Sequence, residues 1–432
     1  MLHTFTYDAD GGFPFPGPTT DAKGNVYGVT SFSGSTDGVC CGTVYELSPQ
    51  KGGRKYRIIY TFQGGSYGEA PYGGLTLDAA GNLYGTTTQG GRDIGTGLVY
   101  ELSPTKDGKW KKADLHKFVK PYAPTYDGAL PSSYLVFDKI GNLYGTTQLG
   151  GGHNYNDCGE TTWGCGTVFE LSPEGDGKWK ETQLHRFPDG NADGLMPYGG
   201  LTFDPSGNLW GTTQTDTLTG LGTVFELTRD TKGKWKESAL FNFTGNSTGY
   251  QTQAGLVADA AGNVYGTTFF GGNGGGTVFE ITPQSGGGLL ETLIHQFASC
   301  NQTSCPDGLN PFGGLAIDAN GNLYGTTTQG GGAGSFCSGG QLDVGCGTVF
   351  ELVPAGNGQW NYSILYASPG STAGAYLTDD RLSIATNGDI FGTTFAGGDV
   401  GESSKCPEEV PGEAGCGVVF ELTPQKRLDR HH

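Results

Sequence analysis

The sequence predicts an all-β chain folded as a seven-bladed β-propeller, its ring closed by an N-terminal strand that completes the last blade. Three observations predict it. A segment reading Tyr-Gly-Thr-Thr or a close variant occurs seven times, each copy is followed by a second β-rich run such as Gly-Thr-Val-Phe-Glu-Leu, and the start of the chain matches a strand that the last copy lacks. The glycine of the first segment falls at Gly28, Gly85, Gly145, Gly211, Gly266, Gly325 and Gly392, at intervals of 55 to 67 residues. A period of that length marks a supersecondary unit that buries its faces only by stacking on its neighbours.

The second copy shows the unit most clearly. Four strands are predicted over 74–78, 83–88, 98–103 and 110–118, each short and rich in β-branched or aromatic residues. Between the first two, Asp78-Ala-Ala-Gly81-Asn82 has hairpin chemistry: the carboxylate accepts bonds from the turn's N–H groups, and glycine supplies positive φ. Variation in repeat length sits in the connection between strands two and three and in the connection to the next blade. Both emerge on one face, so functional loops are expected there and not on the face made of tight turns.

The seventh copy ends without a fourth strand, and residues 2–6, Leu-His-Thr-Phe-Thr, match the fourth-strand segments at Leu115, Leu184 and Ile294. The N-terminus is therefore expected to pair into the last blade and remove both sheet edges. Residues 1–425 form a single propeller domain on this reading. Residues 426–432 form a tail whose Arg430, His431 and His432 read as the start of a purification tag.

The motif "DAAGNLYGTTTQGG" followed by "GTVFELSP" resembles the GloVer-type tandem repeats of secreted bacterial proteins, and the resemblance covers nearly the whole chain. It implies the repeat fold and a location outside the cytoplasm. It implies no activity, cofactor or catalytic residue.

Composition excludes several classes of function. A formal charge of −18 provides no basic footprint for nucleic acid. No run of about 18 apolar residues is present, so no transmembrane segment is expected, and the chain begins with folded-looking sequence, as though a signal peptide had been removed. A monomer is expected. Ten cysteines fall into five local pairs: Cys40–Cys41, Cys158–Cys165, Cys300–Cys305, Cys337–Cys346 and Cys406–Cys416. Short loops closed in this way point to a secreted, extracellular or periplasmic protein rather than to zinc, because no pair has the Cys-x-x-Cys spacing.

Glutamates close the third strand of all seven units, from Glu46 to Glu421, and that recurrence argues for structure rather than catalysis. The fourth-strand histidines His3, His116, His185 and His295 are read likewise as packing residues. The Asp-Gly pairs that enter strand one are read as turns. The richest asymmetric constellation is the loop holding His153, Tyr155, Asp157, Glu160 and Trp163, stapled by Cys158 and Cys165. An imidazole with two carboxylates, His153, Asp157 and Glu160, suits acid–base work on a sugar, and Trp163 and Tyr155 suit stacking on one. Phe15, Tyr72, Tyr198 and Phe312 precede strand one near the channel mouth, where they stack on a sugar or pack between blades.

Two functions survive. One is a carbohydrate-active propeller, a glycoside hydrolase, polysaccharide lyase or glycan-binding protein; the other is a non-catalytic cell-surface scaffold that holds some other extracellular ligand. No cofactor is required on this reading, although clustered carboxylates on the loop face admit calcium.

Overall fold

In the computed structural model each repeat forms one four-stranded antiparallel sheet, and seven such sheets make the ring. The structure describes residues 1–432 except 8, 33–40, 93–94, 121–126, 153–162, 188–192, 300–304, 333–344, 371–372, 378–380, 399–405, 407–414 and 424–432. The second blade comprises Thr76–Leu77, Leu83–Thr87, Leu98–Pro104 and Trp110–Lys117, within two residues of the predicted spans. Among the described residues no helix is long and apolar enough to cross a membrane.

Closure follows the sequence expectation. His3–Thr4 pairs antiparallel with Val418–Leu422, with His3 opposite Val419 and Thr4 opposite Val418, and the Leu2 N–H donates to the Val419 carbonyl at 2.8 Å. Phe5 follows this short ladder and is fully buried.

Burial increases toward the second strand of each blade, which is buried along its whole length, from Val26–Thr30 to Ile390–Thr394. The core lies between blades rather than within them. Tyr144 and Phe187 of blade three, for example, pack with Leu209, Phe225 and Trp235 of blade four. The recurrent Tyr-Gly-Thr-Thr glycine makes room for this packing. A Cβ on Gly28, Gly85 or Gly211 would stand 2.4 to 2.7 Å from a ring carbon of Tyr45, Tyr100 or Phe225 on the third strand of its own blade.

The repeated carboxylates have structural partners. Asp78 Oδ1 accepts from the Ala80 and Asn82 N–H groups, and its Oδ2 accepts from the Asn82 amide and the Tyr84 hydroxyl. Of the third-strand glutamates, Glu46 accepts from Arg57 Nε at 2.6 Å, Glu280 from the Tyr265 hydroxyl at 3.2 Å and Glu421 from Arg54 at 3.2 Å.

A second device recurs in all seven blade-to-blade connections. Phe13, Ala70, Leu130, Met196, Gln251, Asn310 and Tyr376 adopt left-handed backbone, with φ between 53° and 58°. Their N–H groups donate to carbonyls of the preceding blade, those of Cys416, Cys41, Thr96, Cys165, Leu221, Gly275 and Cys346 in turn, at 2.8 to 3.2 Å. Their own carbonyls accept from the end of strand two of the next blade, at Ser31, Thr88, Gln148, Gln214, Phe269, Thr328 and Phe395, at 3.0 to 3.2 Å. Four of the seven accepting carbonyls thus belong to disulfide-bonded cysteines, Cys41, Cys165, Cys346 and Cys416.

Phe5→Ala should lower stability by about 3–5 kcal/mol, the usual cost of emptying a buried aromatic site. Denaturant unfolding checks this, and an unchanged midpoint would contradict the role of the closing strand.

Candidate functional site

Among the described residues one side chain reaches across the first strands of other blades. At the first-strand position nearest the axis the blades carry Gly17, Gly74, Tyr134, Gly200, Gly255, Gly314 and Arg381. Tyr134 reaches from blade three to blade one, where its hydroxyl donates to the Gly17 carbonyl at 2.5 Å. A Cβ on Gly74 would stand 1.9 Å from the Tyr134 ring, so this glycine is what admits the tyrosine. The Arg381 guanidinium from blade seven stands 5.2 Å from the centre of the same ring, close enough for a cation–π contact.

The mouth of the channel on the long-loop face is lined by rings. Phe15 meets Tyr72 at 5.8 Å and Phe312 at 5.7 Å, both edge to face, and so links blades one, two and six. Phe32, Phe269 and Phe395, at the start of the strand-two-to-three connections, extend the set through contacts with Tyr72, Phe312 and Phe15. These rings are half-buried, as are Tyr198 and Trp163. The rings expected at Phe15, Tyr72 and Phe312 therefore pack across blades and still present surface at the mouth. Of the predicted loop constellation, Trp163 is described; His153, Tyr155, Asp157 and Glu160 lie outside the described residues.

Cys406 is bonded to Cys416. Cys41, Cys165, Cys305 and Cys346 are also disulfide-bonded, and their expected partners Cys40, Cys158, Cys300 and Cys337 lie outside the described residues.

At the outer rim the fourth-strand histidines pack edge to face on Phe5, Phe118, Phe187 and Phe297, as the sequence reading expects, and they also pair with the Asp-Gly turns. Each fourth-strand histidine faces the aspartate of the next connection: His3 with Asp10, His116 with Asp127 and His185 with Asp193 at 3.3 Å, and His295 with Asp307 at 3.6 Å. The signal was present in the sequence, since blades lacking the histidine, with Tyr60, Phe241 or Tyr366 in its place, also lack the Asp-Gly pair. A third residue from the next blade completes each group. Tyr56 and Tyr362 stack on His3 and His295 at 3.8 and 4.1 Å, whereas the corresponding positions beside His116 and His185 hold Glu181 and Glu237. Burial, reinforced by the Asp127 charge, pushes the Glu181 carboxyl up to about 7. The cleft there, of about 800 Å³, is also lined by Arg92, Lys117 and Lys180.

The turn face is less uniform than its repeated hairpins imply. Phe137, Ile140, Phe203, Arg229 and Trp235 line a cleft of about 450 Å³ between blades three and four. The Arg229 guanidinium lies 4.5 Å from the centre of the Trp235 ring and donates to the Tyr144 hydroxyl at 2.8 Å.

Seven sheets and a strand borrowed from the N-terminus define a closed β-propeller. The chain belongs to the Gloeobacter/Verrucomicrobia repeat family, whose model matches residues 1–159 and 157–404. No curated protein matches it. Among solved structures it is similar to the periplasmic gluconolactonase PpgL of Pseudomonas aeruginosa, at 13% identity over 82% of this chain and 84% of that one, with a TM-score of 0.46. It is also similar to a gluconolactonase of Xanthomonas campestris, at 16% identity over 73% and 83% of the two chains and a TM-score of 0.38. PorZ, a surface component of the type-IX secretion system of Porphyromonas gingivalis, matches at 12% identity over 85% of this chain and 47% of its own, with a TM-score of 0.44.

Gly74→Ala should destabilise the fold by several kcal/mol through the clash with Tyr134, and Tyr134→Ala in the same chain should recover most of the loss. Additive effects in that double-mutant cycle would contradict the contact. Glu181 makes a second, pH-dependent prediction. Its folded value of about 7 lies above its ordinary 4.5, so the folded state favours the protonated form. Stability is then lost as pH rises from about 4.5 through 7, the reverse of an ion-paired carboxylate. Glu181→Gln should match the parent at pH 4 and exceed it by about 1–3 kcal/mol at pH 8 in denaturant melts.

Proposed function

We propose that this protein binds a glycan outside the cytoplasm, at the mouth of the channel on the long-loop face. The observation that carries the reading is the group of half-buried rings Phe15, Tyr72 and Phe312, packed edge to face across blades, with Tyr134 reaching from blade three to blade one; Tyr198 and Trp163 are proposed to join them. Aromatic rings held by edge-to-face packing are rigid, so stacking a sugar on them costs little ordering entropy. The disulfides support a location in an oxidising space. His153, Tyr155, Asp157 and Glu160 are proposed as the loop that borders this surface and, in a hydrolase or lyase, supplies its acid and base.

A second reading rests on the rim cleft between blades two and three. A carboxyl poised at about 7 beside His116, with Arg92, Lys117 and Lys180 around it, suits proton transfer on an acidic substrate.

Binding to a glycan array and then calorimetry with the best oligosaccharide test the first reading. Tyr72→Ala and Trp163→Ala should each weaken binding by about 1–3 kcal/mol, the worth of burying an aromatic face, with little change in fold stability. Binding that both variants retain in full would move the site elsewhere. A chain that binds no glycan at all would favour the scaffold.

A further inference from the structure

We propose that His185, Asp193 and Glu237 form a divalent-cation site that clamps blade three to blade four. The three residues come from different segments: the outer strand Lys178–Arg186, the connection that follows it, and the outer strand Trp235–Asn242 of the next blade. One imidazole nitrogen and one oxygen from each carboxylate lie within 4.8 Å of one another. His185 and Asp193 are 7% and 4% exposed, so water competes poorly for their ligand atoms. Ligands around zinc, at about 2.0 to 2.2 Å from the ion, stand a little over 3 Å apart. A small rotation of the Glu237 side chain therefore closes the set.

The surroundings fit a ligand role. Asp193 Oδ1 accepts from the Gly194 N–H at 2.7 Å, leaving Oδ2 toward the histidine. The His185 ring is held edge to face on Phe187 at 4.4 Å. Outer contacts of this kind fix ligand orientation in metal sites.

Comparison with the other rim groups strengthens the argument. Where the third position is a tyrosine, a neutral ring stacks on the imidazole, and the Tyr56 and Tyr362 hydroxyls donate to the main-chain carbonyls of Asp10 and Asp307. Replacing that ring with Glu237 brings a second, half-buried carboxylate to the buried His185–Asp193 pair, and two carboxylates facing one imidazole favour a cation between them. The parallel group of His116, Asp127 and Glu181 does not bring three ligand atoms together in this way. The mixed nitrogen and oxygen donors select zinc over calcium, for which an imidazole is a poor ligand.

The test uses the full chain, stripped with EDTA and titrated with Zn2+ against a chelating dye. The parent should bind one ion that raises its melting temperature. Glu237→Gln and His185→Gln should each weaken uptake at least tenfold and abolish the thermal shift, whereas Glu181→Gln should keep the parent's uptake and its rise in melting temperature on adding Zn2+. Any uptake by His431 and His432 persists in every variant and cancels in the comparison. Melts in EDTA show whether each variant is folded, and Glu237→Gln keeps the shape of the side chain. The proposal is overturned if the parent takes up no more Zn2+ than His185→Gln, if Glu181→Gln loses the ion as well, or if Ca2+ binds as tightly as Zn2+.

Discussion

The ring depends on a backbone clasp made seven times, in which one left-handed residue ties two blades together. A non-glycine residue at φ near 55° costs about 1 kcal/mol or more and persists only where its surroundings fix it. Here the N–H is held by the previous blade and the carbonyl by the next. The glycine that opens each third strand belongs to the same joint. At Gly42, Gly97, Gly166 and Gly417 the backbone is left-handed, and a Cβ would strike both a strand-two carbonyl and the proline of the adjoining blade. Disulfides then act on the clasp directly, because four of the carbonyls it uses belong to bonded cysteines.

Individuality arises where a repeated position departs from its siblings. Gly17, Gly74 and Gly200 leave the space that Tyr134 enters and Arg381 overlies, so a repeated frame holds one asymmetric side chain. The rim follows the same logic. One scaffold of histidine and aspartate accepts tyrosine at two blade interfaces and glutamate at two others, and a stacked neutral ring gives way to a second carboxyl group. Repetition supplies rigidity, and single substitutions within it supply a site.

Most of the frame was legible in the sequence because it is periodic. The glycine spacing gave seven units, and the match of residues 2–6 to Leu115 and Leu184 gave the closure that pairs His3 with Val419. The hairpin aspartates and third-strand glutamates were also readable, since their partners lie nearby or recur in every blade. Contacts that cross the ring were not. Tyr134 bonds Gly17, 117 residues away, and no local pattern announces that pairing. The histidine–aspartate groups lay between these extremes. Their members are 7 to 12 residues apart across a turn, and only their joint presence and joint absence from blade to blade marks them as one unit.

The closing strand also fixes how the ring answers to mechanical load. His3–Thr4 runs antiparallel to Val418–Leu422, and Leu2 bonds Val419, so the segment before His3 and the segment after Val419 leave the ladder at the same end. A pull on Met1 against Leu422 loads these bonds one after another, like a zipper, rather than all together in shear. The seam is weak to tension between the two ends of the chain. A propeller anchored through one terminus, with its load taken on a face, never places that tension on it.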